Sequence, residues 1–530
     1  MDRDVVIIGA GHNGLVSAFY LARAGLTVEL VEARDIIGGA CTTQELIPGY
    51  RFSPCAHWVG WWRPKVVEDM QLLQRGIEVG EGDVHTRILP GNRPFVQYGD
   101  EAKSQAEIAR FSPPDAQALP QWRQFWKTAG EIIGPYLLSY PPTLAELMAR
   151  ARALGAEDVF NTILTTSLAE LADRFFESDT MRGIISAPHD MGSLYDRGTG
   201  LAMALAAAMS GYSETGTQLP KGYVRGGMGR ITATMADVVR EQGTIIRTGS
   251  PVRRVIVEKG QAVGVELTSG ESIRARVVIS NADTKRTFLR LIDPEVFPPT
   301  FLEKVRHLRT DVAPLKFLCA LSELPEYYAF EGSDLPTQGG LVINPNRAYH
   351  ERAWDDARHG RLPEAPFMSL NVPSVWDDSL APPGHHTLSC WILFAPVHLA
   401  EGSWPERREE MAQRLITQIA QYSPNFRRAL VDYVLYTPWD LEQNVNLTDG
   451  NIHHVDITPS QMLWQRPLPE LARYRAPIKG MYMCGAGQHP YGEVSGAPGH
   501  NAAHAVLEDL GLIAVGSWEQ RSRLSTAATS

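Results

Sequence analysis

Near the start of the chain, the pattern of hydrophobic and polar residues is typical first of a strand, then of a helix and then of a second strand. Residues 5–8 are continuously apolar and β-branched, which predicts a short strand buried on both faces. An amphipathic stretch over residues 13–24, closed by Gly25, predicts a helix. A second apolar run at residues 27–31 predicts another strand. Strand, helix and strand in this order form a βαβ unit, so the chain opens a parallel sheet.

The same strand-like and helix-like hydrophobic patterns return in the middle of the chain and near its end. Residues 231–242 predict a helix, and three apolar runs separated by short turns predict a β-meander. A further strand and a helix rich in small residues come much later. These strands are residues 252–257, 262–267, 276–280 and 481–484, and the late helix begins near Pro498. We expect all of these segments to join the opening βαβ unit in one domain.

Two inserts interrupt this pattern. The first is rich in proline pairs and amphipathic stretches, and the second mixes strands with helices. Their clearest elements are helices at residues 144–154, 168–176 and 411–422 and strands at residues 316–321 and 387–394. The chain is therefore predicted to have two domains. Their boundaries are 1–80, 215–300 and 475–515 for the first domain, 81–214 and 301–474 for the second, and 516–530 for a flexible tail.

Three glycines after the first strand have the spacing of a dinucleotide-binding turn. Gly9 permits the tight turn, Gly11 lets the backbone approach a pyrophosphate, and Gly14 lets the helix pack on the strand. The helix directs its positive N-terminal end at the phosphates. Glu32 follows the second strand, where a carboxylate accepts hydrogen bonds from ribose hydroxyls and repels a 2′-phosphate. Together these features predict a dinucleotide site that disfavours NADP.

A second glycine signal indicates which dinucleotide binds. Gly38 and Gly39 follow the ribose acid closely, so the main chain there runs near a cofactor. NAD sites need no such element, whereas flavin sites often have one, because the rest of FAD passes along this loop. In a flavoenzyme, the N-terminus of the late helix faces the N1/O2 edge of the isoalloxazine, where negative charge gathers on reduction. The patterns therefore favour FAD.

The predicted fold class is α/β, with a Rossmann-type FAD-binding domain and a discontinuous α+β substrate domain. The predicted FAD contacts lie in the two glycine motifs, after the second strand, on the meander and in the loop before the late helix. They are Gly9, Gly11, His12, Asn13, Gly14, Glu32, Ala33, Arg34, Gly38, Gly39, Ala40, Val252, Asn281, Gly485, Ala486, Val494, Ser495 and Gly496.

Composition and charge narrow the classes of function. Among 530 residues, 50 Lys and Arg against 60 Asp and Glu leave a net charge of −10 without a basic stripe, so no nucleic-acid partner is expected. Five scattered cysteines indicate a reducing compartment without a disulfide framework. No apolar run reaches the roughly 18 residues of a membrane span. We expect a cytoplasmic protein, and peripheral membrane contact stays open.

Metal and hydrolase chemistry are both disfavoured. The histidine pairs at residues 385–386 and 453–454 have no acidic or cysteine partner at ligand spacing, and adjacent side chains point in different directions. The chain also has no GxSxG motif, which a Ser-His-Asp hydrolase would use. No metal site is therefore expected.

Six segments spread over nearly the whole chain carry a family resemblance. They are residues 38–53, 226–229, 280–283, 380–384, 450–453 and 480–505. Together they resemble the phytoene desaturase-like flavoproteins, within the amine oxidase-like FAD enzymes, and still more the pyridine nucleotide-disulphide oxidoreductase domain-containing proteins of the second type. The chain nevertheless lacks a CxxxxC redox pair and a second GxGxxG unit, which argues against electron transfer from a nicotinamide through a dithiol.

The resemblance implies non-covalent FAD beneath a substrate domain. It places Glu32 on the adenosine ribose and Val252 beside the adenine. It places Gly485 and Ala486 near the pyrophosphate or ribityl chain, and residues 494–496 beside the ring. It also implies that electrons pass to oxygen or a quinone.

The candidate catalytic residues are the titratable side chains nearest the flavin motifs. His489 and Glu493 lie in the loop predicted to cross the ring, and each either acts as a general base or holds the loop. A negative charge on Glu493 near N1 would oppose reduction. His57 opens a segment with tryptophans at positions 58, 61 and 62, which line a substrate wall or pack in the core.

The sequence thus predicts an FAD-dependent oxidoreductase that dehydrogenates or desaturates a small or hydrophobic organic substrate by hydride transfer to flavin N5. C–C desaturation is favoured, and C–N oxidation comes second. Two alternatives stay open: a flavin-dependent isomerase without net redox chemistry, and a non-catalytic interaction or assembly protein stabilised by FAD. The expected partners are a small-molecule substrate and oxygen or a quinone as electron acceptor. The oligomeric state is left open.

Overall fold

The computed structural model of the chain describes residues 3–82, 84–186, 191–343 and 346–519. The strands in these residues are β1 (Arg3–Ile8), β2 (Val28–Val31), β3 (Gln44–Ile47), β4 (Tyr50–Phe52), β5 (Val79–Glu81), β6 (Val84–Leu89), β7 (Arg93–Tyr98), β8 (Gly222–Val224), β9 (Ile245–Arg247), β10 (Val252–Glu258), β11 (Gln261–Leu267), β12 (Ser272–Ser280), β13 (Ala313–Leu321), β14 (Leu341–Ile343), β15 (Phe367–Asn371), β16 (His386–Ala395), β17 (Leu430–Tyr436) and β18 (Met481–Met483).

Helices connect and cover these strands. They are α1 (His12–Arg23), α2 (Pro64–Asp69), α3 (Glu101–Ala109), α4 (Pro113–Ile133), α5 (Leu144–Ala153), α6 (Glu157–Thr165), α7 (Leu168–Phe175), α8 (Asp179–Ser186), α9 (Thr199–Gly211), α10 (Gly229–Glu241), α11 (Thr284–Arg290), α12 (Pro299–Arg306), α13 (Leu335–Gly339), α14 (Arg347–Arg358), α15 (Trp404–Tyr422), α16 (Phe426–Ala429), α17 (Pro438–Val445) and α18 (Ala497–Asp509).

The first sheet has seven strands and is parallel at its centre. Its order is β10-β11-β12-β1-β2-β9, and β18 pairs with the end of β12. In β1, Ile7 is opposite Leu30 of β2 on one side and Ile279 of β12 on the other, and both pairs are parallel. Helices α10 and α18 pack against α1. The carboxyl ends of the parallel strands therefore meet at one edge, where α/β sheets bind ligands.

Strand β12 belongs to the parallel sheet and to the meander. The sequence predicted it from residue 276, but it begins at Ser272. Its first residues pair antiparallel with β11, and its later residues pair in parallel with β1 and β18. The first half alternates exposed and buried positions, whereas Val277 to Ile279 are all buried. The prediction therefore found only the continuously apolar half.

The second sheet faces the first domain with one of its surfaces. Its seven strands follow the order β17-β13-β16-β15-β14-β6-β7. All nine positions of β13 are buried. On one surface Phe317 shares a core with Leu415 of α15, and on the other Leu318 packs with Phe52 of β4. The surface of the second sheet that carries Leu318, its inner surface, thus lies close to the segment that follows Gly38 and Gly39.

Helix α15 begins earlier than predicted. It starts at Trp404, seven positions before the predicted start at residue 411. Ser403 and Glu406 form a capping box, and Pro405 lies in the first turn. The polar residues of the first two turns hid this start, because they give no apolar periodicity.

The helical insert and the end of the chain complete the fold. Helices α4 to α9 enclose a separate core that includes Trp126, Ile163 and Leu205. Among the described residues, no helix is both long enough and apolar enough to cross a bilayer. Of the predicted tail, residues 516–519 lie against α18, where the Trp518 indole N–H donates a 2.7 Å hydrogen bond to Glu508. Residues 520–530 lie outside the described residues, and the two-domain boundaries stay a prediction.

Candidate functional site

A cleft opens at the carboxyl ends of β1, β2 and β12. It contains about 1080 Å³ of space between protein atoms, open mouth included. Many residues predicted as FAD contacts line it. They are Gly9, Gly11, His12, Asn13, Glu32, Ala33, Gly39, Ala40, Val252, Asn281 and Ala486. The structure thus brings both ends of the chain and the meander to one cavity.

The glycine turn leaves no room for side chains. A Cβ atom on Gly14 would lie 2.3 Å from the carbonyl oxygen of Gly9, and one on Gly11 would lie 2.8 Å from Asn281 Nδ2. The backbone of Gly9 has a φ of 96°, a conformation that favours glycine. The Asn281 amide also donates a 3.4 Å hydrogen bond to the Gly9 carbonyl oxygen. Backbone atoms therefore form this wall of the cleft.

Glu32 is fixed at the rim by main-chain donors. Its carboxylate accepts hydrogen bonds from the backbone N–H of Ala10 (2.9 Å) and of Arg34 (3.0 Å). The Arg34 guanidinium donates a 2.7 Å bond to the carbonyl oxygen of Gly39. The N–H of Gly38 donates to the carbonyl oxygen of Ala10 at 2.9 Å. Arg34 and Gly38 thus hold the double-glycine loop beside the first turn, although neither lines the cleft.

Two buried polar side-chain atoms lie at the start of helix α1. His12 Nε2 and Asn13 Oδ1 are buried and have no hydrogen-bond partner within the described part of the chain. Burial lowers the pKa of His12 to about 4, and the neighbouring His454 adds to the effect. Burial likewise lowers the pKa of His454 to about 4. At neutral pH both imidazoles are uncharged, and the free polar atoms mark a place for a polar ligand group.

The remaining predicted FAD contacts Gly485, Val494, Ser495 and Gly496 belong to the loop between β18 and α18, and they do not line the cleft. A Cβ on Gly485 would lie 2.9 Å from the carbonyl oxygen of Asn281. Ser495 accepts a 3.1 Å hydrogen bond from the backbone N–H of Arg63. Gly496 precedes α18 with a φ of 73°, and Val494 has a φ of 56°. Positive φ at a β-branched residue stores strain, which is typical of functional loops.

These residues fit FAD. The Gly11 backbone offers a close approach for the diphosphate, the positive end of α1 faces it, and the Glu32 carboxylate suits a ribose. Ala40 and Ala486 also line the cleft, so the double-glycine loop and the loop after β18 both reach the cofactor site.

The far end of the cleft lies against the segment that contains His57. The Ala56 N–H donates a 3.2 Å hydrogen bond to the carbonyl oxygen of Ala40, which lines the cleft. The His57 ring lies 5.5 Å from the ring of Trp391. Burial, with a smaller effect of the Lys316 charge, lowers the pKa of His57 well below its ordinary value. An uncharged imidazole and an indole thus lie side by side in the segment next to Ala40, and His57 lines a small separate cavity together with Ser53 and Met228.

Lys316 is a residue of this region that the sequence patterns did not single out. It is fully buried on β13, and its Nζ has no hydrogen-bond partner among the described residues. The Nζ lies 5.2 Å from the ring centre of Trp391, and burial lowers the pKa of Lys316 to about 7. One lysine within the otherwise apolar β13 was the signal that the sequence offered. At neutral pH this amine can hold or release a proton.

His489 and Glu493, the other two catalytic candidates, lie apart from His57. The buried His489 donates a 2.8 Å hydrogen bond from Nε2 to the carbonyl oxygen of Tyr136, and burial lowers its pKa to about 4. The Glu493 carboxylate lies 3.8 Å from His453 Nε2, on a backbone with a φ of 64°. None of the three catalytic candidates lines the cleft, so the catalytic assignments stay predictions.

The described residues contain no group of three or more histidine, cysteine or acidic side chains arranged to hold a metal ion. Of the histidine pair at residues 453–454, His454 lines the cleft instead. All five cysteines are buried and free.

The cleft and the two sheets define a flavin-dependent oxidoreductase. A family model described as flavin containing amine oxidoreductase matches residues 14–507. The chain therefore belongs to the flavin-containing amine oxidoreductase family, and it is an FAD-dependent enzyme.

Individual relatives cover nearly the whole chain. Pyridine nucleotide-disulfide oxidoreductase domain-containing protein 2 of Mus musculus is 34% identical over 96% of this chain and 94% of its own length. A limonene dehydrogenase from Castellaniella defragrans matches through one of its component chains, which is 28% identical over 96% of this chain and 95% of its own length. Phytoene desaturases are also among the relatives, at 24% identity. The predicted family resemblance is confirmed.

A solved structure supports the fold. Cyclohexylamine oxidase from Brevibacterium oxydans matches with a TM-score of 0.60 and 18% identity, covering 96% of this chain and 100% of that chain. The predicted fold class, a Rossmann-type FAD-binding part with a substrate part, is confirmed, and so is the FAD cofactor.

Proposed function

We propose that this enzyme dehydrogenates a hydrophobic organic substrate, with C–C desaturation as the favoured reaction and C–N oxidation second. FAD, when bound, supplies the hydride acceptor at N5. The substrate would bind at the far end of the cleft, between the loop that precedes α18 and the inner surface of the second sheet. The chain's own residues have to orient the substrate carbon and exclude water.

The observation that carries the proposal is the aromatic character of the segment next to that end. The neutral His57 ring lies 5.5 Å from Trp391 and lines a small cavity beside the cleft, and Trp61 packs edge-on to Tyr491 at 6.0 Å. Burial lowers the pKa of Lys316 to about 7, so its amine is less readily charged than that of an exposed lysine. Such surroundings offer an ammonium ion little stabilisation and suit an apolar molecule.

Relatives add support from their own activities. The limonene dehydrogenase and the phytoene desaturases carry names that refer to hydrocarbon substrates. Their similarity spans the inserts as well as the nucleotide part, since it covers over nine-tenths of this chain. We therefore favour a hydrocarbon over an amine.

We assign His57 to the substrate wall, where its neutral ring borders the reacting group. His489 is a positioning residue. Its imidazole donates a hydrogen bond to the carbonyl oxygen of Tyr136 and so holds the loop between β18 and α18 in place. Glu493, in the same loop, pairs with His453. Lys316 takes or returns a proton beside Trp391. Electrons would then leave to oxygen or a quinone, and contact with a membrane surface would deliver an apolar substrate.

The proposal is tested with purified holoprotein under nitrogen. The probes are a cyclic monoterpene, a linear polyene and a primary cycloalkylamine, and the readout is loss of the oxidised-flavin absorbance. We expect bleaching by a hydrocarbon, faster than by the amine. Bleaching by the amine alone would replace desaturation with C–N oxidation. Conversion of a probe without bleaching would indicate an isomerase, and a flavin inert to all probes and to photoreduction followed by oxygen would indicate the non-catalytic alternative.

A matched pair of variants locates the substrate. His57→Gln should slow bleaching at least about tenfold, which corresponds to about 1.4 kcal/mol, while cofactor content stays unchanged. His398→Gln changes an exposed histidine and should bleach at the wild-type rate. Equal rates for the two variants would remove His57 from the substrate wall.

A further inference from the structure

The charge balance of the cleft points to Arg286. Among the described residues that line the cleft, Arg286 is the one arginine or lysine. The other basic side chains there are His12 and His454, and burial keeps both neutral, with pKa values of about 4. The acids of the lining are Glu32 and Asp283. A diphosphate carries two negative charges, so its binding calls for a cation.

Within the described residues, the guanidinium of Arg286 forms one long ion pair and no hydrogen bond. Its Nε is buried without a hydrogen-bond partner there. The nearest carboxylate oxygen, on Asp283, lies 3.8 Å from Nε. That carboxylate already accepts bonds from the backbone N–H of Arg286 (2.7 Å) and from the hydroxyl (2.7 Å) and N–H (3.3 Å) of Thr448. The donors of Arg286 thus lack an acceptor.

The fold carries Arg286 to the correct side of the cleft. Helix α11 begins directly after β12, and Asn281 in the connecting turn is hydrogen-bonded to the glycine turn at Gly9. The charge of Arg286 contributes to the lowered pKa of His454. His454 in turn lowers the pKa of His12 at the start of α1. Arg286 therefore lines the same cleft as His454 and the start of helix α1.

We infer that Arg286 binds the diphosphate of FAD through its guanidinium and supplies the cationic charge of this site. The planar fork of arginine matches phosphate oxygens with two parallel hydrogen bonds. The N-terminus of α1 adds about half a charge, which by itself leaves most of the diphosphate charge unbalanced. The inference depends on the cofactor and not on the proposed reaction.

Full-length protein freed of flavin is titrated with FAD, ADP, adenosine and riboflavin by calorimetry. Arg286→Gln should weaken FAD and ADP about ten- to a hundredfold, the range for hydrogen bonds to charged groups. Adenosine and riboflavin lack the diphosphate and should change less than about threefold, within the energy of one ordinary hydrogen bond. Arg286→Lys should retain part of the ADP affinity. In the wild type, added salt should weaken ADP more than adenosine.

Arg290→Gln is the matched control. Arg290 lies one turn further along α11 and is paired with Glu442 at 2.9 Å, with half of its side chain exposed. This variant should bind all four probes as the wild type does. Equal weakening of ADP and adenosine by Arg286→Gln would assign the guanidinium to the adenine instead. Unchanged ADP affinity, or equal weakening of all four probes with an altered circular dichroism spectrum, would overturn the inference.

Discussion

The hydroxyl of Ser17 donates a buried hydrogen bond of 2.8 Å to the carbonyl oxygen of Gly499, 482 positions later in the chain. Ser17 lies in α1 and Gly499 in the first turn of α18, so the bond joins the first helix to the last. This contact fixes the loop before α18 relative to the glycine turn. The two ends of the cofactor cleft are thereby held as one unit.

Gly499→Ala should separate these helices. A Cβ there would lie 2.2 Å from the carbonyl oxygen of Asn13, so we expect the free energy of unfolding to fall by roughly 1–3 kcal/mol. Thermal unfolding of the holoprotein measures it. Gly211→Ala, at a helix end with no atom within 4 Å of the new Cβ, should leave the midpoint unchanged. A Gly499→Ala protein as stable as the wild type would contradict the packing described here.

Gly11→Val should release the cofactor. Its Cβ would approach Asn281 Nδ2 to 2.8 Å, and its methyl groups would occupy the path of the diphosphate. The ratio of flavin absorbance to protein absorbance in the purified variant reports the loss, and Gly211→Val serves as the control. A folded variant with undiminished yellow colour would move the dinucleotide elsewhere.

Removing the buried charge of Arg63 should lower the free energy of unfolding far more than removing an exposed charge. The side chains of Arg63 and Glu214 are 1% and 0% exposed and form a close ion pair. Arg63→Met leaves Glu214 buried and unpaired, which costs roughly 3–5 kcal/mol. Arg75→Met breaks the exposed pair with Glu241 and should cost less than about 1 kcal/mol. Urea unfolding measures both, and similar losses would contradict the buried pair.

Lys316→Met should gain stability in a pH-dependent way. The pKa of Lys316 falls from 10.5 to about 7 on folding because of burial. Between these values the unfolded chain binds the extra proton, so wild-type stability rises with pH by about 1.4 kcal/mol per unit from this residue. The advantage of the variant is therefore largest below pH 7 and shrinks toward pH 10. Urea titrations across this range should show no such trend for the exposed Lys127→Met.

His489→Gln should make the free energy of unfolding depend less steeply on pH in the acid range. The pKa of His489 falls from 6.5 to about 4 in the folded chain. Between pH 6.5 and 4 the unfolded chain binds the extra proton, so this residue removes about 1.4 kcal/mol per pH unit as acid is added. Glutamine can still donate to Tyr136 without titrating. Apoprotein unfolding should show the flatter slope in His489→Gln and the wild-type slope in His359→Gln, whose histidine is exposed.

The nucleotide half of the site was predictable because its signals are local. Gly9, Gly11 and Glu32 belong to one βαβ unit, and each has a residue type that its position requires. Lys316 and Arg286 were missed for the opposite reason. Each reaches the site through tertiary contacts, Lys316 from the inner surface of the second sheet and Arg286 from a short helix after β12, and no spacing rule relates them to the glycines.

The segment at residues 480–505 contains one feature that the sequence predicted and one that it could not predict. Its glycines and the helix from Pro498 predicted a loop beside the cofactor, and Ala486 does line the cleft. Periodicity could not give the direction of the His489 side chain, because its partner is a carbonyl oxygen 353 positions away.

The cleft draws its walls from residues between Ile8 and Ala486, and this has a consequence for biosynthesis. While a ribosome is still adding residues 481–509, the nascent chain already contains the glycine turn but lacks β18 and α18. Domains generally fold as units. The complete cleft for FAD therefore forms only after Ala486 and its neighbours have been synthesised and have joined the first strands.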